Sequence, residues 1–162
     1  MAMKQGGIGI GFAIFGVDLL LVLAMMYEDL QGGQINVLVN EADWAWPMAV
    51  RNLFGPRGVS MMLARRPGDV VDIMRQRRIH TAIIDMDSGD MSGIGVIKII
   101  RSANPLLPCI LLARQMEQTV LSKALELDVF SVIGKPVDFD VLRLQLDKLF
   151  TRHYNCDVFR VK

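Results

Sequence analysis

From Ile35 onward, short apolar runs alternate with longer segments whose apolar residues recur every three or four positions. The runs occupy 35–39, 59–64, 81–84, 108–113 and 129–133. Each is short, rich in branched side chains and bounded by polar residues, Gly or Pro, the pattern of a buried strand. Helical spacing fills 44–54, 67–78, 92–103, 115–127 and 138–153. Pro47 falls in the first turn of the first of these, where a missing N–H costs little. The second sets Val70, Val71 and Met74 on one face and ends in Arg75, Arg77 and Arg78, cations that complement a helix C-terminus. Ser92 is a fitting N-cap for the third, and the last carries Val141, Leu144, Leu146 and Leu149. Strand and helix repeated five times predict a parallel sheet covered on both faces. Right-handed crossovers then gather the loops that follow the strands along one edge.

The first 34 residues stand apart. Residues 8–26 are apolar apart from Asp18, about the length that crosses a bilayer. A membrane anchor is one reading, with the domain otherwise cytoplasmic. An uncompensated mid-span acid and the lack of a basic cluster to set orientation oppose it, leaving as alternatives a helix packed on a partner subunit or an extension outside the natural start, Met25 and Met26 being further possible starts. The chain therefore divides into an N-terminal hydrophobic helical extension and linker (1–34), one α/β domain (35–152) and a C-terminal tail (153–162). Eighteen basic and 17 acidic residues give a net charge of +1 at pH 7, so overall charge offers no case for a nucleic-acid partner. The two cysteines, Cys109 and Cys156, lack CxxC spacing and suggest no disulfide framework.

Ligands of open α/β sheets bind beyond the carboxyl ends of the strands, so the residues after each run are informative. Asn40, Glu41 and Asp43 follow the first run, and Asp85 and Asp87 the third. Ala113 and Arg114 close the fourth, and Lys135-Pro136 follows the fifth. Acids and one lysine, each just past a different strand, would meet at one pocket. Such a pocket suits phosphoryl transfer to a carboxylate: an aspartate can act as nucleophile, and the transfer needs positioning and cationic neutralisation. Magnesium, which takes few carboxylates and keeps several waters, fits Glu41 and Asp85 as partial ligands. The plainer reading of Asp85 and Lys135 is an ordinary ion pair at a sheet edge.

The stretch IIDMDSGDMSG (83–93), with VLVNEAD (37–43) and VIGKP (132–136) in that order, resembles the receiver domain of bacterial response regulators over about 35–150. The resemblance implies a flavodoxin-like doubly wound sheet of five parallel strands, (βα)5, in order 2-1-3-4-5. It implies that Asp85 is the phosphoacceptor, Lys135 its phosphate-pairing partner, and Glu41 and Asp85 magnesium ligands, with Asp87 adding a backbone carbonyl. It also implies a cis Lys135–Pro136 bond and signalling rather than enzymatic turnover. The partners would be a histidine kinase or phosphotransfer protein and a downstream protein target. With nothing recognisable as an output domain after Tyr154, the chain reads as a stand-alone receiver.

Four positions depart from the family pattern. Asn40 replaces one acid of the usual pair, which predicts weakly bound magnesium. Gly89 stands where the family has proline. Ala113 lacks the hydroxyl of the switch residue, and Val132 replaces the aromatic residue that follows its movement. Arg114 is a candidate bidentate donor in place of that hydroxyl, with a solvated helix-entry residue as the alternative. These losses also admit a rival: an unphosphorylated receiver-like interaction module, docking through Trp44 and Trp46. A dehalogenase-type phosphatase built on DMD (85–87) fails because its motif belongs at a chain start with further acids downstream. A calcium loop from Asp85 fails because its twelfth position is Val96.

Overall fold

The computed structural model describes residues 33–40, 45–88 and 92–160. Gln34–Lys162 groups as one compact unit. Five strands and five helices alternate: β1 (Ile35–Asn40), α1 (Ala45–Phe54), β2 (Val59–Ala64), α2 (Pro67–Gln76), β3 (Thr81–Asp85), α3 (Gly93–Ala103), β4 (Cys109–Ala113), α4 (Gln118–Glu126), β5 (Ser131–Gly134) and α5 (Phe139–Tyr154). The strands form one parallel sheet in the order β2-β1-β3-β4-β5. This is the doubly wound topology expected, with the order switching beside β1, between β1 and β3. A 3-10 turn at Gly55–Arg57 leads into β2 through Gly58, whose φ of +65° favours a residue without Cβ.

Side-chain alternation along the strands builds two apolar layers. Leu38, Ala82, Ile84 and Leu111 cluster with Val70 of α2, Val96, Ile97 and Ile100 of α3, and Ala124 of α4. Their neighbours Val37, Val39, Ile83, Ile110 and Leu112 are equally buried and point to the opposite face, which leaves them to Val50 and Phe54 of α1 and Leu142, Leu146, Leu149 and Phe150 of α5. Each such side chain removed from water contributes about 1.5–3 kcal/mol, which explains why the strand runs are apolar throughout rather than alternating. Arg101 ties α3 to the far end of α4, donating to the carbonyls of Leu107, Leu127 and Asp128 at 2.6–2.8 Å.

Element ends follow local hydrogen bonding. Ser92 caps α3 by accepting from the Gly95 N–H, and Asp138 caps α5 by accepting from the N–H groups of Asp140 and Val141. The fifth strand starts at Ser131, two residues later than expected. Asp128 turns left-handed (φ 51°) and the Val129 N–H returns to the Ala124 carbonyl, so 128–129 terminate α4 instead of opening β5.

The expected C-terminal tail needs correction. Helix α5 runs on to Tyr154, Asn155 closes it in the left-handed conformation, and the chain folds back so that Phe159 is fully buried. Its ring lies 5.2 Å from Phe150 and 5.9 Å from Phe54, with the Arg57 guanidinium 6.0 Å from its centroid. The folded domain therefore reaches Phe159. At the opposite edge from the strand ends, the Tyr154 hydroxyl donates to the His80 carbonyl and burial pushes its phenol up to about 12. His80 itself is buried and accepts the Asn36 N–H on Nδ1, a structural role. Among the described residues no helix is long and apolar enough to cross a membrane. Segment 8–26 and the rest of 1–32 lie outside the described residues.

Candidate functional site

Strand β3 ends in Asp85, which is only 2% exposed. A carboxylate sited there needs compensation, because an unpaired charge out of water is costly. Its Oδ1 accepts the Asp87 N–H at 2.7 Å, and its Oδ2 pairs with Lys135 Nζ at 2.5 Å. Lys135 follows β5, and its N–H donates to the Ala113 carbonyl at 2.9 Å, fixing where the lysine starts relative to β4. The Lys135–Pro136 bond is cis, as expected. Residues 50 positions apart in sequence thus meet because β3, β4 and β5 lie side by side.

The backbone of Asp85 is held from both flanks. On one side the Met86 N–H donates to the Leu112 carbonyl of β4 at 2.8 Å. On the other, Asn40 accepts the Asp85 N–H at 2.7 Å and donates its amide to the Asp85 carbonyl at 2.9 Å. A carboxylate at position 40 could make the first of these bonds but not the second, having no proton to donate. The residue read from sequence as a missing acid is therefore a clamp, joining the end of β1 to the end of β3. Gly93 opens α3 so close to this strand end that a Cβ there would lie 2.7 Å from the Asp85 carbonyl oxygen and the Met86 Cα. Glycine at 93 is a requirement of that approach.

Asp87 enters the site differently from expectation. Beyond the backbone role assigned to it, its side-chain Oδ2 accepts the Arg114 N–H at 3.1 Å and lies 3.6 Å from Lys135 Nζ and 3.9 Å from Arg114 Nε. The closer of these contacts comes from the Arg114 backbone, and its side chain stays 67% exposed. Ala113 is buried at the end of β4, and Val132 is half-buried against the apolar cluster of α2, α3 and α4. Neither carries a polar atom toward the rim. Glu41, Asp43, Trp44, Gly89, Asp90 and Met91 lie outside the described residues, as does the Trp46 side chain.

The described rim holds two carboxylates, Asp85 and Asp87, against two cations, Lys135 and Arg114. The Asp85 carboxylate offers oxygen donors of the kind a hard divalent cation takes while keeping much of its water. Among the described residues no three acidic, histidine or cysteine side chains converge as a metal cage. The Asn40 oxygen is already committed to the Asp85 N–H. The donor chemistry fits magnesium, with few protein ligands.

A doubly wound parallel sheet carrying a buried aspartate and a lysine at the carboxyl edge of its strands defines the class of molecule. The chain belongs to the response regulator receiver domain family, whose sequence profile matches residues 37–147. It is 24% identical over 123 residues to the transcriptional regulatory protein ZraR of Escherichia coli (strain K12), an alignment spanning 76% of this chain and 28% of ZraR. The chain therefore spans about a quarter of the length of such relatives. Among solved structures, it superposes on the signal receiver domain of an HD domain-containing protein from Pseudomonas fluorescens Pf-5 with a TM-score of 0.68, 18% identity, and coverage of 76% of this chain and 99% of that one. A two-component response regulator from Clostridium difficile gives 0.68, 17%, 76% and 100% for the same quantities.

Proposed function

We propose that this chain is a phosphorelay switch rather than a turnover enzyme, taking a phosphoryl group on Asp85 from a histidine kinase or phosphotransfer protein and presenting the changed surface to a downstream protein target. The observation that carries this reading is the Asp85–Lys135 pair at the carboxyl edge of the sheet. An Asp85 carboxylate oxygen attacks phosphorus, the P–N bond of the donor phosphohistidine breaks, and its electron pair leaves with the imidazole nitrogen. Lys135 is placed to move from the carboxylate to a phosphoryl oxygen as the acyl phosphate forms. The transfer replaces one negative charge on Asp85 by two, so the charge balance of the rim tips negative. Bound magnesium, held by the Asp85 carboxylate, the Asp87 carbonyl and Glu41, would supply the missing positive charge.

The oxygen-free side chains of Ala113 and Val132 favour a second reading, an unphosphorylated interaction module. Incubation with magnesium and a small acyl phosphate, followed by intact-mass measurement, decides between them. The switch reading predicts a gain of one phosphoryl mass in the wild type and none in Asp85→Asn. An unchanged wild-type mass, with partner binding retained in Asp85→Ala, would select the module.

A further inference from the structure

The donors that a phosphoryl group on Asp85 would need are already taken. Three of them converge on one oxygen, Asp87 Oδ2: the Arg114 N–H at 3.1 Å, Lys135 Nζ at 3.6 Å and Arg114 Nε at 3.9 Å. A fourth, the Asp87 N–H, is spent on Asp85 Oδ1 at 2.7 Å. A backbone N–H and cations converging on one point make a seat for an anionic oxygen. In this chain the seat is filled by a side chain of its own.

We propose that the Asp87 carboxylate is a built-in plug, standing where a phosphoryl oxygen would bind and opposing phosphorylation of Asp85 until it turns away. The inference rests on the assignment of Asp85 as phosphoacceptor. Two physical effects act together. The plug competes for Lys135 and Arg114, and its negative charge repels the incoming dianionic group across the same few ångströms. Its side chain is 37% exposed, so it can swing into water at little cost, freeing Arg114 and leaving Lys135 to its 2.5 Å pair with Asp85 alone. Arg114, 67% exposed on a long flexible stem, is then free to serve the phosphoryl group at the edge where Ala113 offers no hydroxyl. The plug thus raises the threshold for phosphorylation, and a donor that draws Asp87 outward lowers it.

The test compares the wild type with Asp87→Asn, which keeps the shape and an oxygen for the Arg114 N–H but removes the charge. Both are incubated with magnesium and a small acyl phosphate, and the rate of phosphoryl mass gain is followed at low and high ionic strength, with Asp85→Asn as control. The plug predicts a roughly two- to fivefold faster gain in Asp87→Asn, the range of partly exposed charge pairs. That advantage should shrink as salt rises, because the effect is one of charge. An equal or slower gain in Asp87→Asn overturns the plug while leaving the phosphoacceptor reading intact. The same holds for an advantage insensitive to salt, which would mark a purely structural effect. Mass gain in neither protein removes both proposals together.

Discussion

Asn40 shows how much more a residue can do than its charge suggests. In sequence it is a missing acid; in the fold it closes two hydrogen bonds to the backbone of Asp85 while itself 1% exposed. That role could not be read from sequence, because it depends on β1 and β3 being neighbours in a register that sets Val39 opposite Ile83. The Asp87 side chain was hidden for the same reason: its partners Arg114 and Lys135 come from the ends of two other strands. Asp85 and Lys135, by contrast, were legible, Asp85 directly after the third apolar run and Lys135 two residues past the fifth, each within a stretch that resembles the family's motifs. Asn40→Ala leaves a buried N–H without a partner, and about 1–3 kcal/mol of stability should be lost, measured as a lower urea midpoint. Asn40→Asp should also lower the midpoint yet tighten magnesium binding in a titration, since it trades the clamp for a charge. A variant at position 40 as stable as the wild type would show that the clamp contributes nothing.

At the scale of elements, hydrophobic period located the five strands and five helices of the described residues, because buried parallel strands read as continuous apolar runs. Boundaries were set by contacts with no local signal. Asp128 and Val129 belong to the end of α4 through a left-handed turn, and α5 continues past His153 because Asn155 closes it. The segment after α5 looked like a tail, being short and mixed in polarity, with nothing in its pattern to announce an anchor. Phe159 nevertheless fills the space between Phe54 of α1 and Phe150 of α5. Phe159→Ala should cost about 3–5 kcal/mol, as removal of a buried aromatic ring does, and urea unfolding measures it. A loss below about 1 kcal/mol, the range of surface substitutions and minor core trims, would mean that the segment only rests on the domain.

On the scale of the whole molecule, the fold brings the ends of β1, β3, β4 and β5 together into one small polar rim. At rest that rim is electrically balanced among the described residues, with two carboxylates facing two cations. A balanced rim is stable, and it is also poised: one added phosphoryl group upsets the balance and forces Lys135, Arg114 and Asp87 to redistribute. The hydroxyl and aromatic that the family resemblance leads one to expect are absent at Ala113 and Val132, and among the described residues the charged groups of the rim are the ones a phosphoryl group on Asp85 would meet first. The most direct check is to find where the phosphoryl group sits. Phosphorylated protein reduced with borohydride converts an aspartyl phosphate to homoserine, which peptide mass spectrometry locates. The account predicts homoserine at position 85 alone; homoserine at 87 or another acid, or none anywhere, would contradict it.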